Sequence, residues 1–150
     1  MDLRKFCEIV KTRSNLKEFM IYCTLRNYTH AQMRRKEGDV VLKIAISDDE
    51  KEFRDSAERM LKLYMEEKAV PYQADVFNVP SELVDMTEKG TIYDIYLLDI
   101  YMPGVTGMSI ATELRNRDIK SPIIFLTSST DHALEAFGVD ATHYLLKPYT

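Results

Sequence analysis

Five residues of this chain have types and positions suited to phosphoryl chemistry. Asp48 and Asp49 follow the apolar run Val41-Leu-Lys-Ile-Ala-Ile46, and Asp99 follows Tyr93-Asp-Ile-Tyr-Leu-Leu98. Thr127 closes Ile123-Ile-Phe-Leu-Thr127, and Lys147 closes Thr142-His-Tyr-Leu-Leu146. Each run reads as a strand, and in an open α/β sheet functional groups gather at the carboxyl ends of strands. Two carboxylates about 4 Å apart repel by roughly 4 kcal/mol at an effective dielectric of about 20, so three of them converging call for a cation. Mg²⁺ suits the task, since it takes octahedral oxygen ligation, keeps several waters and pairs with substrate phosphate. Asp99 is then the nucleophile, attacking phosphorus to give an acyl phosphate. A loose transition state asks mainly for charge stabilisation on the equatorial oxygens. Mg²⁺, the Lys147 ammonium and the Thr127 hydroxyl can each take one.

The elements that would position these groups begin near Val40. From there β-branched or aromatic runs alternate with amphipathic stretches, the pattern of βαβ units on a parallel sheet. A helix over about 50–66 carries Phe53, Ala57, Met60, Leu61 and Tyr64 at helical spacing, and a strand near 72–78 follows. Pro80 opens the next helix, where its missing N–H is harmless, and Gly90 is its expected C-cap. After Asp99 the loop Ile100-Tyr-Met-Pro-Gly-Val-Thr-Gly107 leads into a helix with Met108, Ala111 and Leu114. A short helix then holds Ala133, Leu134 and Phe137. Residues 40–150 form one expected domain. Residues 1–39 read as a helical extension: Leu3, Phe6, Cys7 and Val10 share one face, as do Leu16, Phe19, Met20 and Cys23, with Asn15 and Glu18 spaced as a capping box. Arg34-Arg-Lys36 and Gly38 read as an exposed linker.

Charge divides the chain at the same place. Residues 1–39 hold nine Lys/Arg against five Asp/Glu, a net +4, and the remainder carries −8. An acidic body disfavours nucleic acid, and three basic residues in a linker are weak evidence for it. No apolar run reaches the roughly eighteen residues of a membrane span, and the start lacks an export signal, so a cytoplasmic protein is expected. Cys7 and Cys23 lack metal or redox spacing, and His30, His132 and His143 lack ligand spacing. These read as packing or surface residues.

Ser47-Asp-Asp-Glu50, Leu98-Asp-Ile-Tyr-Met-Pro-Gly104 with Gly107, Phe125-Leu-Thr127 and Leu146-Lys-Pro148 together resemble the ordered signature of response-regulator receivers. The resemblance implies a flavodoxin-like, doubly wound five-stranded parallel sheet of order 2-1-3-4-5. It implies Asp99 as phosphoacceptor, with Asp48, Asp49, Asp99 and the Tyr101 carbonyl as Mg²⁺ ligands. Tyr144 would be the aromatic that swings when Thr127 is drawn to the phosphoryl group. Asp131-His-Ala-Leu-Glu-Ala-Phe137 and Ala141-Thr-His-Tyr-Leu-Leu-Lys-Pro148 are similar to receivers of the LytR/AgrA kind, which usually precede a LytTR DNA-binding domain. The expected function is a bacterial two-component phosphorelay. A sensor histidine kinase donates the phosphoryl group, and a LytTR-type output absent from this chain regulates transcription. The chain itself would be a phosphoacceptor that assists its own phosphorylation and dephosphorylation, not an enzyme acting on outside substrates.

Blander readings stand beside these. Asp48-Asp49 could be only a turn or N-cap, Thr127 only a cap, Lys147 a surface charge and Tyr144 simple packing. One alternative is a phosphorylation-independent pseudo-receiver that binds proteins. Another is a haloacid-dehalogenase-like phosphatase, but that class needs a second Asp two residues after the nucleophile, where Tyr101 stands. The usual last helix of a receiver is absent from the C-terminus. Asp2-Leu-Arg-Lys-Phe-Cys-Glu-Ile-Val-Lys11 has the amphipathic character to replace it, within the chain or exchanged in a helix-swapped homodimer.

Overall fold

A computed structural model describes residues 41–148. The helical stretches expected over 1–39, with Cys7, Cys23, His30 and the basic linker, lie outside the described residues. Within them the order is β1 (Leu42–Ser47), α1 (Lys51–Glu67), β2 (Tyr72–Phe77), α2 (Pro80–Glu88) and β3 (Ile95–Leu98). There follow α3 (Gly107–Asn116), β4 (Ile123–Thr127), α4 (Ala133–Gly138) and β5 (His143–Leu146). The strands form one parallel sheet of order β2-β1-β3-β4-β5, as the resemblance to receivers implied.

Parallel strands buried on both faces read as near-continuous apolar runs. Here β1, β3 and β4 are central, and β3 and β4 are buried throughout. Alternate residues feed two cores. Leu42, Ile44, Ile46, Ile95, Leu97, Ile124, Leu126 and Leu145 face the side on which α1 packs through Ala57, Leu61, Tyr64 and Met65. Ala45, Tyr96, Leu98, Ile123, Phe125 and Tyr144 face α2, α3 and α4. In that second core Tyr93 and Tyr96 meet edge to face at 5.6 Å, a geometry their ring quadrupoles favour. Tyr93 also donates its hydroxyl to Asp75 Oδ2 at 2.8 Å.

Two expectations shift in detail. β3 begins at Ile95, not Tyr93, because the Asp94 carboxylate accepts the Lys43 N–H at 2.9 Å, and a side chain takes the place of a strand carbonyl. α2 ends on Glu88 with Lys89 as C-cap, and Gly90 stands just beyond it at φ +91°, the left-handed turn that glycine makes without strain. Arg115, on α3, holds the amino end of the sheet. Its guanidinium donates to the carbonyls of Val139, Ile119, Ser121 and Asp140 at 2.9, 2.6, 3.1 and 3.1 Å, tying two separate loops to one helix.

Candidate functional site

The register Ile44↔Ile95 and Leu98↔Phe125 brings the carboxyl ends of β1, β3 and β4 to one edge, and Thr127↔Leu146 adds β5. Backbone bonds fix the loops that leave them: Asp99 N–H donates to Ser47 O at 2.8 Å, and Lys147 N–H to Thr127 O at 2.7 Å. The functional side chains are therefore held by the sheet itself.

At their centre is Lys147, whose side chain is only 2% exposed. Its Nζ lies 2.7 Å from Asp48 Oδ2 and 3.0 Å from Asp99 Oδ2, both buried, and 3.4 Å from Glu50 Oε1. The ammonium also sits 4.2 Å from the centroid of the Phe53 ring. One cation thus serves two buried anions. Burial raises the pKa of Asp48 and of Asp99, and pairing with the shared lysine offsets only part of that rise. For Lys147 burial acts downward, but its two carboxylate partners outweigh it and hold the ammonium above its ordinary value. The directions agree: the pocket is one positive charge short.

Asp48 does form the turn that the blander reading foresaw. Its Oδ1 accepts Glu50 N–H at 2.9 Å, while its Oδ2 remains turned to Lys147. Asp99 Oδ1 accepts Tyr101 N–H at a long 3.4 Å. Asp49 is more exposed than its neighbour and makes no side-chain bond among the described residues. One carboxylate oxygen from each of Asp48, Asp49 and Asp99 lies within 4.8 Å of the others. Three hard oxygen donors around a charge-deficient pocket fit Mg²⁺.

Thr127 is fully buried at the end of β4, and its Oγ1 accepts Ser129 N–H at 3.5 Å. Tyr144 is 2% exposed and turned inward, donating its hydroxyl to Ser129 O at 2.5 Å. Burial raises that hydroxyl's pKa to about 12, so it stays a donor throughout the physiological range. Tyr101 is 44% exposed and stacks edge-on against His132 at 5.3 Å. Every predicted site residue lies at this edge of the sheet, and Asp48, Asp99 and Lys147 touch directly. Gly107 is required by close approach, since a Cβ there would run into the Asp99 carbonyl while its N–H donates to Ile100 O at 3.1 Å.

Sequence reasoning assigned no role in the site to five participants. Glu50 reaches Lys147; Phe53 forms the floor beneath it; Arg54 donates to Asp48 O at 2.8 Å; and the Ser47 hydroxyl lies 3.4 Å from Met102 Sδ. In the sequence Phe53 stands only as an apolar position of α1. Nothing in the spacing marks Arg54, and Met102 stands in the quoted motif with no role given it; the partners of both come from tertiary placement.

A doubly wound five-stranded parallel sheet with a buried aspartate and lysine pocket at its carboxyl edge places the chain among the flavodoxin-like α/β domains. Residues 44–150 match the response regulator receiver domain, and the chain belongs to that family. A phosphoacceptor role and Mg²⁺ are general for it. Among curated proteins, the chain is 49% identical over 55 residues to the positive alginate biosynthesis regulatory protein of Pseudomonas aeruginosa, covering 37% of this chain and 22% of that one. It is 30% identical over 109 residues to the sensory transduction protein LytT of Bacillus subtilis, covering 73% and 43%. The match thus spans less than half the length of these relatives. Among solved structures, the response regulator TrrA of Thermotoga maritima, in complex with Mg²⁺ and BeF, aligns with a TM-score of 0.61 at 26% identity, covering 73% of this chain and 90% of that one. The response regulatory domain of mrkE from Klebsiella pneumoniae aligns with a TM-score of 0.65 at 24% identity, covering 73% and 85%, which supports the fold. No helix among the described residues is long and apolar enough to cross a membrane.

Proposed function

We propose that Asp99 accepts a phosphoryl group from the phosphohistidine of a sensor histidine kinase in a cytoplasmic phosphorelay. A carboxylate oxygen of Asp99 bonds to phosphorus, the P–N bond to the histidine breaks, and the imidazole nitrogen retains the electron pair and takes a proton. Asp48, Asp49 and Asp99, with the Tyr101 carbonyl, would hold Mg²⁺, which when bound neutralises the carboxylates and the phosphoryl oxygens. The Lys147 ammonium keeps Asp99 ionised and orients it, and its charge remains to meet a phosphoryl oxygen. The Thr127 hydroxyl meets another, and Tyr144 follows the movement of Thr127. Hydrolysis of the mixed anhydride resets the domain.

The observation that carries this reading is the buried Lys147 bridging Asp48 and Asp99, with three carboxylate oxygens gathered within 4.8 Å. Such a charge arrangement is a poor structural device, because a well-packed apolar replacement is often as stable or more so. It serves chemistry. The LytT relatives and the Asp131–Pro148 motifs support a transcriptional output of LytTR type joined to the receiver. The body's net −8 argues against direct nucleic-acid binding by these residues.

The test is intact mass after incubation with acetyl phosphate or phosphoramidate, with and without Mg²⁺, on the native chain and on Asp99→Ala. A single Mg²⁺-dependent phosphoryl adduct, missing from the variant, is expected. Absence of an adduct on folded protein would refute the phosphoacceptor role and leave a pseudo-receiver.

A further inference from the structure

An ammonium ordinarily keeps its charge in water, yet the Lys147 side chain is only 2% exposed. What replaces water around Nζ is uneven. Asp48 Oδ2 at 2.7 Å and Asp99 Oδ2 at 3.0 Å are buried acceptors, whereas Glu50 Oε1 lies at 3.4 Å on a side chain that is 56% exposed. The Phe53 ring covers the ammonium, its centroid 4.2 Å from Nζ. Ring and ammonium are fixed from separate elements. In the first turn of α1, Arg54 N–H donates to Glu50 O at 3.1 Å and the Arg54 guanidinium to Asp48 O at 2.8 Å, while Lys147 N–H donates to Thr127 O at 2.7 Å. Leucine or isoleucine at position 53 would also close the pocket to water but would offer the charge nothing. An aromatic face attracts a cation through its quadrupole, most strongly where water is excluded, and does not demand a directed N–H as a carboxylate or a water does. Of the three N–H donors of an ammonium, two have short buried acceptors here and one has only the exposed Glu50.

We propose that Phe53 is a positioning residue for phosphoryl transfer at Asp99: its ring face holds the Lys147 ammonium dry against Asp48 and Asp99 and leaves the donor facing Glu50 to a phosphoryl oxygen. The proposal rests on the phosphoacceptor reading above and adds a residue that acts through Lys147. An incoming phosphoryl oxygen then exchanges with the weakly held Glu50 carboxylate, so Asp48 and Asp99 keep their shared partner during the step. A cation placed in advance, with water already excluded, needs no reorganisation when charge develops on the phosphoryl group. Without the ring's attraction the ammonium turns toward Glu50 and solvent, and must be drawn back before it can serve.

The test places mono-, di- and trifluorinated phenylalanine at position 53 of the full chain, beside Phe53→Leu. Fluorine withdraws electron density from the ring face stepwise while leaving its shape and hydrophobicity nearly unchanged, so a mere packing role would not register the series. Two readouts are taken on each chain, with backbone amide spectra to confirm folding. One is the rate of Mg²⁺-dependent adduct formation with acetyl phosphate, followed by intact mass. The other is the Lys147 ammonium signal in Mg²⁺-free proton–nitrogen correlation spectra, assigned by its loss in Lys147→Met and visible only while its protons exchange slowly with water. Adduct formation should slow with each fluorine and be roughly tenfold slower in Phe53→Leu, the size of a desolvated cation–π contact, and the ammonium signal should broaden in the same order. If Phe53→Leu does not fold, the near-isosteric fluorinated chains decide alone. An ammonium signal unchanged across the fluorinated series would overturn the inference, as would adduct formation at the native rate in all of them. Should the native chain form no adduct, the phosphoacceptor reading fails, and the ammonium signal still upholds or overturns the ring's hold on Lys147.

Discussion

Replacing Lys147 by Met tests the electrostatic reading of the pocket most directly. Methionine retains an unbranched stem against Phe53 but removes the charge. At 2.7 and 3.0 Å, and at an effective dielectric of about 20, each ion pair is worth about 6 kcal/mol of gross Coulomb attraction. Desolvation offsets much of this, and breaking a buried pair by deleting one partner typically costs about 3–5 kcal/mol. All three side chains are nearly inaccessible, so solvent screening does not reduce the figure further. Without Mg²⁺ at neutral pH, Lys147→Met should therefore lose about 3–5 kcal/mol in urea unfolding followed by circular dichroism. The deficit should also depend on pH. The folded-state pKa values of Asp48 and Asp99 are already raised by burial, and removing the lysine raises them further. A carboxyl with a raised folded pKa binds its proton more tightly when folded, so its contribution is most favourable below the unfolded value near 4. Stability is then lost as pH rises through the folded pKa. The deficit of the variant should be complete at pH 7.5 and shrink on acidification toward pH 5. A loss below about 1 kcal/mol at pH 7.5, or one that does not shrink, would refute the view that one lysine balances two buried carboxylates.

Mg²⁺ should stabilise the native chain by about 2.7 kcal/mol at a hundred times its dissociation constant. Asp49→Ala should abolish most of that gain while changing Mg²⁺-free stability by no more than about 0.5 kcal/mol, since Asp49 makes no other side-chain bond among the described residues; unchanged Mg²⁺ stabilisation in a thermal melt would remove it from the ligand set. Gly107→Ala forces a methyl into the Asp99 carbonyl and should destabilise by about 1–3 kcal/mol and slow phosphoryl adduct formation, both measurable on the same sample. Arg115→Lys cannot reproduce a fork that reaches four carbonyls on two loops and should lose about 1–3 kcal/mol, with faster amide exchange around 119–122 and 138–141; exchange unchanged there would show that the fork is dispensable.

The parallel sheet and the pocket were legible because each reactive residue terminates an apolar run and strand ends converge whatever the detailed register, whereas the strand order came only from the resemblance to receivers. Asp99 and Lys147 are 48 positions apart in sequence, yet each is read from its own strand. Lost to sequence reasoning was whatever depended on a partner from elsewhere in the chain. Asp94 looks like a strand residue until Lys43 N–H is found on its carboxylate. Arg115 looks like a solvated charge at the end of a helix until four loop carbonyls converge on it. Arg54 gives no local sign that Asp48 O will accept its proton. Leu134 fits an apolar helical pattern but is 66% exposed, because the six-residue α4 turns Ala133, Ala136 and Phe137 to the core instead.

That last feature bears on how a phosphoryl group at Asp99 would be read elsewhere. β4 is buried throughout and fixed on both sides by ladder bonds, so it is poorly suited to move. The segment after it is different. Thr127 holds Ser129 N–H by a long 3.5 Å bond, the Ser129 carbonyl rests on the Tyr144 hydroxyl, and α4 beyond is only six residues long, anchored by Ala136 with Ala133 and Phe137 partly buried beside it. Regions with few buried contacts open at low free energy, and a ligand can shift such an equilibrium only by its differential affinity for the two states. A phosphoryl oxygen would accept the Thr127 proton, and a Thr127 side chain that turns to donate it moves away from the N–H of Ser129, whose carbonyl is the acceptor that holds Tyr144 inward. That movement would be taken up by the 128–138 segment, since the strands on either side are braced by the Lys147 N–H bond to Thr127 O and by the pairing of Leu145 with Leu126. We therefore propose the face formed by α4 and β5 as the one a change at Asp99 would alter, with Leu134 and Leu146 exposed on it.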